Sequence, residues 1–147
     1  MLVLGIQIDP PFLRVARIKK GRGGVEILSL QSVDLVVTEP FLGPPLRGSE
    51  TNAELAHNDI ELTRLYLSAF QNFKKILKPG GTVVFIIPRF RAGSVWITIS
   101  NKLLPDIKRL GFLPIALLPT SFTEKNFLLY HRPAQKVGRE IWKFKLH

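Results

Sequence analysis

The feature that most constrains this chain is a sharp turn followed at once by an almost wholly apolar run. The turn is Lys78-Pro79-Gly80-Gly81, and a proline with two glycines ends any helix that precedes it. The run 82–87 lacks the polar alternation of a half-exposed strand. Such a run is typical of a strand in a parallel sheet that helices cover on both faces. The chain is therefore predicted to have an α/β fold.

Two helices are expected, one before and one after this strand. Asn58 is predicted as the N-cap of the first, and Glu61 completes a variant of the capping box. Its apolar residues, at the spacing of a buried stripe, are Leu62, Leu65, Tyr66, Ala69, Phe73, Ile76 and Leu77. The second helix is indicated by the same spacing in Trp96, Ile99, Leu103, Ile107 and Leu110. Pro105 is expected to kink this helix or to restart it, and Gly111 to end it.

Further strands are expected from short apolar or alternating runs, at 2–8, 25–30, 33–37, 113–118, 127–131 and 139–146. The segment 12–20 fits two interpretations, a short helix after Pro10-Pro11 or a strand with alternating apolar residues. The late strands favour a sheet that ends in antiparallel order. Because no internal repeat or linker divides the sequence, a single domain over 1–147 is predicted.

The composition indicates a folded and strongly basic protein. Hydrophobic residues make up 46% of the chain, and 21 Lys and Arg against 11 Asp and Glu give a formal net charge of +10. This excess favours a polyanionic partner, most often nucleic acid, although a solvated basic face is an alternative of equal weight. The side chains predicted to contact nucleic acid are Lys19, Lys20, Arg22, Arg89, Arg91, Lys136 and Arg139.

Several classes of protein are disfavoured by the residues that are missing. The absence of cysteine excludes disulfides and thiolate chemistry. The three histidines do not have the spacing of a ligand pair, so no catalytic metal is expected. The apolar start 2–6 is too short to span a bilayer and lacks a basic leader. A cytoplasmic protein without a membrane partner is therefore predicted.

Two motifs occur in a fixed order at a separation typical of one domain. The first, Val33-Asp34-Leu35-Val36-Val37-Thr38-Glu39-Pro40-Phe41, is a strand that ends in an acidic residue, a proline and an aromatic. The second, Leu77-Lys78-Pro79-Gly80-Gly81-Thr82-Val83-Val84-Phe85, is a helix-to-strand junction. Together they resemble the later half of class I S-adenosylmethionine-dependent methyltransferases, over 33–147. The tail 130–140 is similar to endings in the branch that methylates guanosine N2 in tRNA.

The resemblance implies a Rossmann-like sheet with helices on both faces and methyl transfer from S-adenosylmethionine to an exocyclic amine of a base. RNA is preferred over DNA, and guanosine N2 in tRNA is the preferred target. Glu39 and Phe41 match the positions whose acceptor holds the amine and whose ring stacks on the base, and Pro40 fixes the turn. Glu39 is one methylene longer than the usual Asp or Asn, and one proline stands where two are common.

The cofactor side of the resemblance is incomplete. No Gly-x-Gly-type turn precedes Thr38, so the first strand of the family and its glycine loop are missing. If 2–9 is the family's second strand, Asp9 would meet the ribose of the cofactor, and Gln7 stands at a second acidic position. Two alternatives follow from this gap. A second chain supplies the missing loop, or the chain is a catalytically inactive module that binds nucleic acid or protein.

Residues 1–31 also resemble a different family. The strand Gly5-Ile6-Gln7-Ile8-Asp9, the glycine-rich turn 21–24 and the run 25–30 are similar to the opening strand and hairpin of actin-like ATPase domains, including those of pilus-assembly proteins. Pro10-Pro11 occupies the turn where that family has small residues, which speaks against nucleotide binding. The segment is interpreted as a cofactor remnant, a borrowed hairpin or a structural replacement, with the first ranked slightly ahead.

Overall fold

A computed structural model describes residues 3–9, 12–21, 24–29, 32–46, 50–92, 94–118, 126–133 and 135–147. The strands within these ranges are β1 Val3–Asp9, β2 Phe12–Gly21, β3 Gly24–Ser29, β4 Val33–Thr38, β5 Leu77–Ala92, β6 Val95–Thr98, β7 Phe112–Ile115, β8 Phe127–Tyr130 and β9 Val137–Leu146. The helices are α1 Asn52–Ile76 and α2 Ser100–Arg109.

The first three strands form a sheet of their own. β1, β2 and β3 are neighbours in that order, and both pairings are antiparallel. The segment 12–20, which fitted a helix or a strand, is therefore a strand. β1 pairs with β2 and not with the strands of the second sheet, in contrast to the interpretation of 2–9 as the second strand of a methyltransferase sheet. The resemblance to actin-like ATPases stays a prediction.

The other six strands form one mixed sheet. β4 and β5 are parallel, and α1 is the crossover between them. β9 is antiparallel to both β5 and β7, so β7 runs in the same direction as β4 and β5. β6 and β8 add antiparallel partners to β5 and β9. The predicted α/β, Rossmann-like sheet with antiparallel late strands is confirmed.

The start of α1 differs from the prediction, because its N-cap is Thr51 and not Asn58. The Thr51 hydroxyl accepts the Glu54 backbone N–H at 3.2 Å, and the Glu54 carboxylate accepts the Thr51 backbone N–H at 2.7 Å. This reciprocal pair is a complete capping box, which Thr-x-x-Glu supplies by itself. Asn58 and Glu61 lie inside the helix. Thr51 and Glu54 are therefore the stronger of two similar signals for the start of this helix, and the prediction rested on the other one.

The second helix is shorter than predicted, because its expected first turn belongs to a strand. Trp96 lies on β6, opposite Arg91 of β5. Pro105 lies inside the helix, as expected. Gly111 follows the last turn with φ +97°, and its N–H donates to the Lys108 carbonyl at 2.9 Å. A left-handed glycine at this position ends the helix in the predicted place.

Both helices pack against the same face of the six-stranded sheet. Phe70 of α1 lies at the centre of this core, with its ring centroid 5.1 Å from those of Phe85, Phe112 and Phe144. These three rings belong to β5, β7 and β9. The residues that α2 adds to the same buried cluster are Leu103 and Ile107. The helices therefore pack β5, β7 and β9 into one core.

The opposite face of the sheet is more open. Leu35 and Val37 of β4 are 52% and 60% exposed, and residues 82, 84 and 86 of β5 are half-buried. The run 82–87 predicted helices on both faces, but the described helices cover one. An apolar strand of this kind gives no sign of how completely its second face is covered.

Candidate functional site

The acidic-Pro-aromatic motif lies at the carboxyl end of β4, as the sequence predicted. Glu39 and Phe41 are exposed, and Pro40 between them is buried. The Phe41 side chain is 63% exposed, although phenylalanine is among the residue types most often buried. Ligands of open α/β sheets bind beyond the carboxyl ends of the strands. The motif therefore has the position and the exposure of a ligand site.

A buried tyrosine holds this loop in place. The Tyr66 hydroxyl, on α1, donates to the Phe41 backbone carbonyl at 2.7 Å. Tyr66 is fully buried, and its ring lies edge-on to that of Phe85 with the centroids 5.1 Å apart. Burial raises the pKa of Tyr66 well above its ordinary value, so the hydroxyl stays a donor at any physiological pH. The backbone of the loop is thus anchored while the Phe41 ring stays outside.

Glu39 is paired with an arginine from the other end of the chain. The Nε of Arg139, on β9, donates to Oε1 of Glu39 at 2.7 Å. The two side chains are 31% and 46% exposed, respectively, so the pair lies at the surface. The second carboxylate oxygen, Oε2, has no partner among the described residues. Arg139 contacts the predicted acceptor, and its predicted role in binding nucleic acid stays a prediction.

The register of the sheet explains how this pair forms. Arg139 lies opposite Pro88 of β5 on one side and opposite Tyr130 of β8 on the other. β4 ends at Thr38, opposite Phe85, so the loop that follows runs beside the residues just before Pro88. Because neighbouring strands are about 4.8 Å apart, the Arg139 side chain bridges a distance of about 10 Å over β5. Glu39, Arg139 and Tyr130 therefore form one row across the sheet.

Arg89 is largely buried, in contrast to the surface position expected of a phosphate ligand. Its side chain is 16% exposed, and its Nε lies 3.9 Å from Oε1 of Glu140, which is 1% exposed. The indole nitrogen of Trp142 donates to Oε2 of the same carboxylate at 3.1 Å. The Arg89 guanidinium also lies 5.1 Å from the centroid of the Trp96 ring. These contacts assign Arg89 to the interior beneath the row.

Glycine at position 138 is required by this arrangement. A Cβ on Gly138 would lie 2.9 Å from Cγ of Arg89, its cross-strand partner. Any side chain there would displace Arg89 from its position beside Glu140. Close packing against Arg89 therefore explains the glycine in the tail 130–140.

Two other predicted basic residues meet at the end of β5. Arg91 donates its backbone N–H to the Lys136 carbonyl at 2.8 Å and its guanidinium to the Pro133 carbonyl at 3.4 Å. Lys136 is exposed. The neighbouring Arg132, which the sequence did not single out, is exposed as well. Arg91, Arg132, Lys136 and Arg139 form a basic edge, which reaches the acidic-Pro-aromatic motif through the contact of Arg139 with Glu39.

The remaining predicted site residues lie on the first sheet or outside the described residues. Lys19 and Lys20 are on β2, and Gln7 and Asp9 are on β1, opposite Arg14 and Phe12. Arg22 falls outside the described residues. The roles of these residues in binding cofactor or nucleic acid stay predictions.

Within the described ranges, no helix has the length and apolarity for a membrane crossing. The described His, Asp and Glu side chains likewise form no group that could hold a metal ion.

Two tyrosines of this site were not identified from the sequence. Tyr66 was assigned only to the apolar stripe of α1, and its hydroxyl gave no signal of a long-range partner. Tyr130 lies at the end of β8 and is 47% exposed. A tyrosine followed by His131-Arg132 at a strand end could have indicated a binding surface, because exposed aromatics beside arginine are frequent at interfaces.

Comparisons with known proteins give a fold. No family model matches this chain, and no curated protein matches it. The crystal structure of a putative DNA modification methylase from Thermus thermophilus matches 79% of the chain with a TM-score of 0.50 and 17% identity. Over the matched part, the chain therefore has a methyltransferase fold. The match covers 47% of the methylase, so the chain spans about half of its length.

Two further crystal structures of this methylase also match 79% of the chain. The selenomethionine derivative has a TM-score of 0.43 and 17% identity, and the complex with S-adenosyl-L-methionine has a TM-score of 0.40 and 19% identity.

Proposed function

We propose that this chain is the substrate-binding part of an S-adenosylmethionine-dependent methyltransferase that acts on the exocyclic amine of a nucleic-acid base. RNA is the preferred substrate, and guanosine N2 in tRNA is the preferred target. The proposal rests on one observation. At the end of β4, the exposed Phe41 ring and the exposed Glu39 carboxylate stand on either side of a buried proline in the sequence. The methyltransferase fold and the basic edge support it.

The loop provides two kinds of contact to a base. The exposed face of Phe41 would stack on it, which compensates part of the cost of taking the base out of its own stack. Oε2 of Glu39 and the backbone carbonyl of Pro40 would accept the two protons of the amine. Arg139 holds the Glu39 carboxylate in one orientation through Oε1, so Oε2 points in a fixed direction. The contribution of these groups is positioning, because an amine lone pair must point at the methyl carbon.

The described residues do not form a cradle for the cofactor. S-adenosylmethionine would supply the methyl group when bound. However, β4 is the first described strand of the six-stranded sheet, so no described strand of that sheet precedes it and carries a glycine-rich turn. Gln7 and Asp9 belong to the separate sheet of β1, β2 and β3. We therefore propose that a second chain supplies the glycine loop and most of the cofactor site.

A catalytically inactive nucleic-acid-binding module is the second candidate. The ion pair between Glu39 and Arg139 favours it, because half of the carboxylate is already occupied. In that case Phe41 and the basic edge would bind a base without any transfer.

Calorimetric titration and a transfer assay separate these alternatives. We expect no binding of S-adenosylmethionine to the chain alone at millimolar concentration, and transfer of labelled methyl to unmodified tRNA after addition of a partner-containing extract. In the active mixture, Phe41→Ala should reduce transfer at least 100-fold, because ring stacking and amine alignment are lost together. Cofactor affinity should change less than about twofold, since Phe41 lies on the substrate side.

Ile60→Ala is the matched control, because Ile60 is 65% exposed on α1, away from the loop. It should leave transfer unchanged. Equal loss of transfer and cofactor affinity in Phe41→Ala would contradict the role given to the ring. Binding of tRNA without transfer under any condition would favour the inactive module.

A further inference from the structure

We infer that Tyr130 and Arg132 form a second nucleotide subsite, for an unpaired nucleotide that flanks the target base. This inference deepens the proposed function, because the subsite adjoins Glu39 and Phe41. It has an independent test, since binding of a single strand requires neither cofactor nor methyl transfer.

The position of Tyr130 follows from the sheet register. Tyr130 of β8 is the cross-strand partner of Arg139, whose Nε contacts the Glu39 carboxylate at 2.7 Å. Directly opposed residues on antiparallel strands have their side chains on the same face, about 5 Å apart. Tyr130 is therefore the next side chain in the row that begins at the predicted acceptor. A strand lying across the sheet would meet Glu39 and Tyr130 in turn.

The tyrosine ring is presented in a defined orientation. Tyr130 is 47% exposed, and its hydroxyl accepts the Nε–H of Arg132 at 3.3 Å. The Arg132 backbone N–H donates in turn to the Gln135 side-chain oxygen at 3.1 Å, which fixes the turn after β8. An exposed aromatic ring next to a guanidinium matches the two parts of a nucleotide, its base and its phosphate.

The segments around Tyr130 and Arg132 carry an excess of positive charge. The segments 88–98 and 126–139 contain Arg89, Arg91, Arg132, Lys136 and Arg139 but no Asp or Glu. Among the described residues, Glu39 is paired with Arg139 and Glu140 is buried beside Arg89, so these two arginines are offset. Arg132 and Lys136 contribute excess positive charge. An anionic ligand is therefore attracted to this surface, and a nucleic acid adds bases that stack on the tyrosine ring.

An unpaired strand fits this surface better than a duplex. A base can stack on a tyrosine ring only when it has left its own stack, and aromatic platforms with arginine are typical of single-strand binding. RNA and DNA share this chemistry, so the choice between them is left to the experiment.

The test is fluorescence anisotropy with labelled 12-nucleotide single strands of RNA and DNA of one sequence, on the full chain without cofactor. Tyr130→Ala should weaken binding by about 5- to 150-fold, the range expected when one stacked base is lost. Tyr130→Phe should bind within about twofold of the wild type, because it keeps the ring. Arg132→Ala should weaken binding and reduce its salt dependence by about one phosphate contact.

Arg64→Ala is the charge-matched control, because Arg64 is an exposed arginine on α1. It should leave affinity within about twofold. Circular dichroism of each variant checks that the fold is intact. Wild-type binding that Tyr130→Ala leaves unchanged would overturn the inference, and so would a wild type that binds neither single strand. Tyr130-dependent binding without any methyl transfer would support the subsite and count against the proposed function.

Discussion

At the scale of single residues, Glu39 and Phe41 each have one group engaged within the protein and another group outside that contact. Glu39 has one oxygen engaged by Arg139, and Phe41 has its carbonyl engaged by Tyr66 while its ring is exposed. The structural partners come from β9 and α1, far away in sequence. A short motif thus becomes a rigid site through contacts that lie outside the motif.

Removing the Tyr66 hydroxyl tests this anchoring. Tyr66→Phe should lower the free energy of unfolding by about 1 kcal/mol, because one buried hydrogen bond to the Phe41 carbonyl is lost. Urea unfolding followed by circular dichroism measures it. Tyr130→Phe removes a surface hydroxyl that accepts one hydrogen bond, from Arg132 at 3.3 Å, and should change stability by less than about 0.5 kcal/mol. A loss of equal size in both variants would contradict the anchor.

At the scale of elements, α1 is defined by its two ends more than by its apolar stripe. The capping box of Thr51 and Glu54 begins it, and the extended residue Leu77 ends it and starts β5. Between these points the helix carries Tyr66 to the loop and Phe70 to the centre of the core. The capping box therefore helps to determine where Tyr66 lies on α1 relative to the loop that it holds.

The capping box gives the stability a defined pH dependence. Hydrogen bonds from the Thr51 backbone and side chain hold the pKa of Glu54 below its ordinary value of 4.5. A lowered folded-state pKa means that its stabilisation is present above the unfolded-state value and is lost as pH falls through the folded-state value. Glu54→Gln should therefore have a lower unfolding midpoint than the wild type at pH 7, because the stabilising carboxylate is lost. The difference should shrink towards pH 3.

The control for this experiment keeps the cap. Thr51→Ser retains the hydroxyl and the backbone donor, and its unfolding midpoint should follow the wild type at both pH values. If the difference between Glu54→Gln and wild type were larger at pH 3 than at pH 7, the assigned linkage would have the wrong sign.

At the scale of the whole molecule, the sequence predicted the α/β sheet well because its signals are local. The turn 78–81 and the run 82–87 predicted a helix, a turn and a strand from neighbouring residues alone. The helix and the strand are present, but 78–81 belong to β5, as an irregularity in its pairing with β4. The positions of Glu39, Pro40 and Phe41 at a strand end followed from the same reasoning. Trp96 was assigned to a helix, because its apolar spacing fits that period as well as a short hairpin strand.

The pairings across the sheet could not be predicted in the same way. The contact of Arg139 with Glu39 depends on β9 lying next to β5, and no local pattern encodes that neighbour. The burial of Arg89 depends on Glu140 and Gly138 in the same strand. Side-chain type predicted nucleic-acid contacts for both arginines, and these stay predictions. Their partners within the protein depend on the register of distant strands.

The position of β4 at the end of the six-stranded sheet has a consequence for the behaviour of the protein at high concentration. Its described neighbour is β5 on one side, and the exposed Leu35 and Val37 lie on this edge strand. Edge strands of this kind associate between molecules, and here the net charge of +10 opposes that association. Salt shortens the range of the repulsion to about 3 Å at 1 M, so added salt should promote clustering. Light scattering should show an apparent mass that rises with salt and falls in Val37→Lys, and a salt-independent mass would show that the edge does not associate.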